Sequence, residues 1–320
     1  MKTLSAEDTA TNFRLEYERY GGSDEVRLKA FHPRPPRAGE IAVQVRAASV
    51  NPMDWKTRRG DFKFVTGWSF PRAMGADFAG IVEQVGKGVT AFKEGDAVLG
   101  STPMRASGAF ATRLITTSRL VVRKPDGLSW EKASTLPLVG VAAWCGLVRS
   151  AGLMRGCRVF VNGAMGGVGL AAVRIARAFD CEVVGRVSPA ALDLGGSIGL
   201  ARTLDYTKEV PRELAGRFDV VFDTQGSLSP AQQDQLVSAK GRIADLEPTA
   251  RKVLLAMLSR RRKIVFANLK AENLEKVVDL AARGLLDLPI ARVCPLADAP
   301  QMLSDIENGA RRFGKFVILP

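Results

Sequence analysis

Residues 158–170, Arg-Val-Phe-Val-Asn-Gly-Ala-Met-Gly-Gly-Val-Gly-Leu, pass from an apolar strand through a glycine-rich turn into an amphipathic helix. That order is the shape of a dinucleotide site. Glycines at 163, 166, 167 and 169 let the backbone turn tightly and approach a pyrophosphate, and they let the new helix pack on a sheet with its first amides, near Val168, facing the phosphates. The spacing Gly163-x-x-Gly166-Gly167-x-Gly169 departs from the common G-x-G-x-x-G, so the flanking residues must decide between a phosphate cradle and a plain strand-to-helix link. Val159, Phe160 and Val161 supply a short buried strand before the turn. Val168, Ala172, Ile175 and Phe179 follow at helical spacing, with Arg174, Arg177 and Asp180 on the other side.

A chain of 320 residues, 46% apolar, exceeds one ordinary core, and two domains are expected. From residue 158 onward β-rich runs near 158–162, 182–187, 218–223, 241–246 and 263–268 alternate with helical patterns. This predicts an α/β fold built on a doubly wound parallel (Rossmann) sheet. Before residue 123 the texture changes: Ile41, Val43 and Val45 alternate with polar neighbours, and short runs at 78–85, 96–100 and 109–115 are separated by glycine-rich turns. That half reads as a small β-barrel. The tail adds helical stretches at Glu272–Arg283 and Asp298–Glu307 and strands at Ile290–Val293 and Lys315–Leu319.

Several function classes recede on composition. The opening Met1–Asp8 carries acids and no apolar core, so it does not read as a secretory signal. The longest apolar stretch, Leu136 to Val148, is broken by Pro137 and Gly140 and is too short to span a bilayer, so a soluble, cytoplasmic protein without a membrane is expected. Cys145, Cys157, Cys181 and Cys294 are scattered without a C-x-x-C pair and read as buried free thiols; with His32 as the sole histidine, no metal site is expected. The net charge of +13 is spread over small clusters. Its densest run, Arg260–Lys263, reads as a solvated helix end rather than a nucleic-acid patch, since no aromatic residue interleaves with it.

The end of the second strand bears on the coenzyme. Twenty residues beyond Gly166 stands Arg186, where an NAD site usually places an acid. A carboxylate would bind the ribose 2′-hydroxyl and repel a 2′-phosphate, whereas a guanidinium can fork onto phosphate oxygens. NADP(H) is therefore expected, with Arg186 and Ser188 nearest the phosphate, the alternative being that Arg186 is a solvated strand-end charge.

Seven ordered stretches then coincide with one family: Asn51-Pro52-Met53-Asp54-Trp55-Lys56, Met74–Gly80, Gly108–Ala111, Leu136-Pro137-Leu138, the glycine turn, Phe222–Gly226 and Phe313-Gly314-Lys315. In them the chain resembles the zinc-free quinone oxidoreductase branch of the medium-chain dehydrogenase/reductase superfamily along nearly its whole length. The resemblance implies a GroES-like catalytic domain over 1–122, completed by 271–320, a Rossmann domain over 123–270, and a homodimer. Zinc-dependent relatives carry Cys and Gly-His-Glu where this sequence has Asn51-Pro52 and Gly75-Ala76-Asp77. Departures from the branch are Lys56 and Phe62 where tyrosines are common, Ala142 for Thr, Arg174 for Gln, and Leu192 for a lysine that helps hold a 2′-phosphate. Tyr206 matches a position lining the adenosine phosphate, and Asp223 and Gln225 lie where the family passes close to the nicotinamide ribose; otherwise Asp223 is a strand-end cap.

Without a Lewis acid, reduction is the easier direction: hydride transfer to a quinone or to the β-carbon of an enone places charge on a conjugated oxygen. By resemblance Asn51, Asp54 and Lys56 stand near the nicotinamide. Lys56 either donates to the developing oxyanion or is a solvated loop lysine beside Arg58 and Arg59; Asp54 orients its neighbours or forms a salt bridge to one of them; Asn51 is a site residue or a turn residue before Pro52. The expected activity is NADPH-dependent reduction of quinones or α,β-unsaturated carbonyls. The alternative is an NADP(H)-binding regulatory or nucleic-acid-associated protein with little turnover. Enoyl reduction within a larger synthase is disfavoured because the chain carries no carrier or condensing segment.

Overall fold

The computed structural model describes residues 12–309 and 313–320, so the opening Met1–Asp8 lies outside it. The first half is mainly β. Strands β1 (Asn12–Tyr17), β2 (Arg27–Phe31), β3 (Glu40–Ser49), β4 (Arg72–Ala73), β5 (Asp77–Val85), β6 (Ala97–Ser101), β7 (Arg113–Thr117) and β8 (Val121–Arg123) form a small sheet, β2-β1-β4, and part of a larger curled one. The alternation in β3 is real: Ile41, Val43 and Val45 are buried while Ala42, Gln44 and Arg46 are not. β3 pairs with β5 on one side and with β7 and the chain's last strand on the other.

The second half is the expected doubly wound sheet. β9 (Arg158–Asn162), β10 (Glu182–Val187), β11 (Arg202–Asp205), β12 (Phe218–Asp223), β13 (Val237–Asp245) and β14 (Arg262–Ile264) lie in the order β11-β10-β9-β12-β13-β14, all parallel. Covered on both faces, the central strands need no alternation, and Val159-Phe160-Val161 and Val220-Val221-Phe222 are buried throughout. β11 escapes a reading of apolar runs because it is an edge strand whose residues are half-buried or exposed. β14 is shorter than expected: pairing ends at Ile264, and Phe266 stands out in solvent.

One further expectation is corrected by packing. The Arg260–Lys263 run is not a solvated helix end, because Arg262 is buried, donating to Gln233 Oε1 at 2.6 Å and the Pro230 carbonyl at 3.0 Å, and Arg261 caps the carbonyls of Ser238 and Gly241. The apolar stretch after Leu136 forms the helix Pro137–Trp144 and a wider helical turn, Cys145–Ser150. Its small residues admit neighbours closely: a Cβ on Gly140 would lie 2.5 Å from Val277 Cγ1 and one on Gly146 2.6 Å from the Phe222 ring. The four cysteines are buried and free.

The tail places the site. Helix Ala271–Ala282 buries Leu274, Val277 and Ala281 in the same apolar cluster as the parallel sheet. β15 (Ile290–Pro295) and β16 (Lys315–Leu319) then return to the curled sheet, where β16 pairs antiparallel with β3 through Val317–Ser49 and Ile318–Ala48. That pairing sets Lys315 beside the start of the helix Pro52–Arg59.

Gly169 tests the turn. In an open helix Gly→Ala stabilises by about 1 kcal/mol, but here a Cβ would sit 2.1 Å from the Gly163 carbonyl oxygen and 2.8 Å from Ala164 Cα, both backbone atoms that cannot swing aside. Gly169→Ala is therefore expected to destabilise by more than about 2 kcal/mol in a urea melt, against Gly127→Ala, which meets nothing, as control.

Candidate functional site

Gly163 leaves β9 at φ +81°, a conformation open to glycine, and its α-carbon faces Thr224 and Gln225: a Cβ would come within 2.7 Å of Thr224 Oγ1 and Gln225 Cγ. Gly166, extended at φ −73° and ψ 163°, precedes the helix Gly167–Ala178, whose first internal bond is from the Leu170 amide to the Gly166 carbonyl. The amides of Gly167, Val168 and Gly169 thus form the helix's unsatisfied first turn, the arrangement that accepts an anion. The residues present fit a dinucleotide's pyrophosphate here, since no side chain occupies the cradle positions 166, 167 and 169.

Asn51 and Asp54 do come together, in a buried polar knot that also contains two residues not singled out by sequence. Asp54 accepts the Asn51 amide N–H at 2.7 Å. The Asn51 side chain donates to Asp77 Oδ2 at 2.9 Å and accepts from Lys315 Nζ at 2.5 Å. Lys315 also donates to the Val50 carbonyl at 2.9 Å, and Asp77 accepts from Ser101 Oγ at 2.5 Å and the Leu138 amide at 3.0 Å. Burial dominates every charge. It pushes Asp54 up to about 7, with the Asp77 carboxylate adding and Lys315 opposing; it raises Asp77 against the pull of Lys315; and it pushes Lys315 down to about 8 against both carboxylates. The knot reaches the glycine turn, because a Cβ on Gly167 would lie 3.6 Å from Lys315 Cδ and 3.0 Å from Val139 Cγ1.

Lys56 lies outside the knot. Half-exposed, it pairs at 2.5 Å with Glu247, in the loop after β13, so the ion pair spans from the first half of the chain to the parallel sheet. Asp223 sits at the C-terminal end of β12 with its oxygens fully engaged: Asn162 Nδ2 at 2.7 Å, the Gly226 amide at 2.9 Å, the Leu228 amide at 3.1 Å and Lys252 Nζ at 2.7 Å. Lys252 also binds Asp245 at 2.8 Å, and all three side chains are buried. The sequence offered no sign of Lys252 as a site residue; it lies on the helix Ala250–Leu258. Gln225 stands against Gly163. Arg186 is buried and donates to the backbone carbonyls of Tyr206 and Lys208, the latter at 3.1 Å, so its guanidinium holds the loop after β11 rather than standing as a free strand-end charge. Ser188 stands at the start of the turn that follows β10, with no capping bond from its side chain.

Zinc does not fit. Among the described residues no three His, Cys, Asp or Glu side chains could share an ion, and the lone pairs of Asp77 are committed to Ser101, Asn51 and Leu138. No described helix is long and apolar enough to cross a membrane.

Comparison with known proteins agrees with this geometry. Residues 37–126 match the alcohol dehydrogenase GroES-like domain and residues 198–318 the zinc-binding dehydrogenase family, together more than half of the chain. The chain is 30% identical to the phthioceranic/hydroxyphthioceranic acid synthase of Mycobacterium tuberculosis over 99% of its own length, but spans only 16% of that protein. It is 27% identical to a chloroplast envelope quinone oxidoreductase homolog of Arabidopsis thaliana over 96% of this chain and 98% of the relative. Its fold matches that of the quinone oxidoreductase from Coxiella burnetii with a TM-score of 0.87, at 24% identity, over 97% and 99% of the two chains.

The raised Asp54 carboxyl has a consequence for stability. An unfolded Asp loses its proton near pH 4, whereas the folded one keeps it to about pH 7. Over that window the native state binds more protons, so stability falls as pH rises from about 4 to 7. Asp54→Asn, which keeps an acceptor for the Asn51 amide, is expected to remove part of this slope, narrowing the difference in Tm between pH 5 and pH 7.5 by a few degrees. An unchanged difference by differential scanning fluorimetry would place the titration elsewhere.

Proposed function

The chain belongs to the medium-chain dehydrogenase/reductase superfamily, and on that footing we propose that it is a zinc-independent, NADPH-dependent reductase of quinones or α,β-unsaturated carbonyls. The observation that carries the reading is the meeting of the Asn51–Lys315 knot with the first turn of the helix at Gly167. An anion cradle and a dry, rigid polar floor lie side by side, which is what hydride transfer to a conjugated carbonyl requires.

When bound, the reduced nicotinamide supplies the hydride. The chain's own work is placement and charge. Gly166 keeps the cradle free of a side chain, the amides of Gly167, Val168 and Gly169 hold the pyrophosphate, and the Thr224–Gln225 segment lies against Gly163 on the side toward the ribose. Asp223 acts as a positioning residue, fixing that loop through the amides of Gly226 and Leu228. Asn51 and Asp54 set the start of the helix that carries Lys56. Lys56, kept at the cleft edge by Glu247, donates to the oxygen on which charge gathers. Preference for NADPH is supported by the absence of a carboxylate at the end of β10 and by the bond from Arg186 that draws the Tyr206 backbone toward Ser188 and the strand end. The Arabidopsis and Coxiella relatives favour a quinone, whereas the match to part of the phthioceranic/hydroxyphthioceranic acid synthase keeps acyl enones in the substrate class. A homodimer is part of the proposal: Leu254, Met257, Leu258 and Phe266 are exposed next to the open edge at β14.

Lys56→Met is expected to lower kcat with 1,4-benzoquinone or a 2-alkenal on the order of 100-fold, the usual effect of losing one oxyanion donor, while NADPH affinity by fluorescence titration stays the same. Unchanged turnover would remove Lys56 from the chemistry. NADH binding as tightly as NADPH would remove the 2′-phosphate assignment.

A further inference from the structure

A short apolar knob stands beside the β2-β1-β4 sheet. Helix Lys63–Thr66 and the turn after it carry Phe64, Val65 and Trp68, which are 80%, 51% and 62% exposed. The segment is not loose. The Tyr20 hydroxyl bonds Thr66 Oγ1 at 3.0 Å and the Gly67 carbonyl, Arg72 donates to the Thr66 carbonyl at 2.8 Å, and Arg105 donates to the Val65 carbonyl at 2.6 Å. Phe64 and Trp68 lock edge to face, centroids 5.8 Å apart. The fold thus fixes the backbone from below and holds three apolar side chains out in water.

The same two arginines continue into a concave groove of about 560 Å³, lined also by Arg14, Arg34, Arg113 and His32 and, among the described residues, by no acid. Arg14, Arg34 and Arg113 are balanced by Glu16, Glu40 and Glu83, whereas among the described residues no carboxylate pairs with Arg72 or Arg105, which bind backbone carbonyls. Lys63 adds a further cation on the knob and Asp61 its one acid. Rigid aromatic side chains that suit the headgroup boundary, next to unbalanced guanidinium groups on a chain of net charge +13, have the composition of an interfacial anchor.

We propose that the Phe64–Trp68 knob and the adjoining arginine groove form a peripheral docking site for anionic phospholipid bilayers. The knob lies in the interface and the arginines meet lipid phosphates, with no segment crossing the membrane. This departs from the expectation of no membrane contact, and it stands independently of the proposed reaction.

Trp68 is itself the reporter, since Trp55, Trp130 and Trp144 are half-buried. Full-length protein is mixed with vesicles of phosphatidylcholine alone or with phosphatidylglycerol added. Cosedimentation with the anionic vesicles at low salt, release at high salt and a blue shift of tryptophan emission are expected. Phe64→Ser/Trp68→Ser and Arg105→Glu should each weaken binding about tenfold or more with an unchanged circular dichroism spectrum. Trp68→Phe should keep binding and lose the shift. No cosedimentation, equal binding by the double variant, or a shift that persists in Trp68→Phe overturns the proposal. So does concentration-dependent self-association without vesicles that the double variant abolishes, which would make a second copy the occupant.

Discussion

One buried ammonium organises the centre of this molecule. Lys315 arrives on the last strand and finds the Val50 carbonyl and the Asn51 amide oxygen, 264 positions earlier in the chain for the latter. Removing a cation from water costs several kcal/mol, and these two oxygens, with the buried acids Asp77 and Asp54 nearby, offset that cost only while the geometry is held. The geometry is held by three separate segments: Asn51 and Asp54 opening one helix, Asp77 beginning β5, and the Leu138 amide opening another helix. Displace any one and a buried charge loses its partner. This makes the knot a hub joining the curled sheet to the apolar helices under the parallel sheet.

A second buried cation repeats the device nearby. Lys252 bridges Asp223 and Asp245 at the carboxyl ends of adjacent parallel strands, where β12 and β13 hold the two acids in register. There the return is shape: Asp223 gathers the amides of Gly226 and Leu228 into a fixed loop beside the glycine turn. The Lys56–Glu247 pair is of a different kind. Half-exposed and screened by water, it contributes at most about 1 kcal/mol to stability, so its location across the cleft matters more than its strength. Buried pairs fix the scaffold, whereas the exposed pair adds little to it.

The surface shows the same economy of position. The positive excess is not spread as a uniform field: Arg262 turns inward onto the Gln233 side chain and the Pro230 carbonyl, while Arg72 and Arg105 gather beside exposed aromatic side chains. A basic composition alone predicts neither outcome. Which arginines face solvent depends on which carbonyls the fold leaves without a donor.

The sequence by itself determined the elements whose signal is local. The glycine turn follows from residues that must lack a side chain, the parallel strands from apolar runs buried on both faces, and the curled sheet from the period-two pattern in β3. The poor fit to zinc follows from a count of ligands, and the pairing of Asn51 with Asp54 joins residues three apart. Only the tertiary structure decided where long polar side chains ended. Lys315 stood in a motif with no assigned partner, Lys252 in a stretch with no readable pattern, and Arg186 at the expected strand end but facing carbonyls. The physical reason is common to all three. A buried charge is placed by the few donors and acceptors that remain unpaired once distant segments close, and their positions are written in no single stretch of the chain.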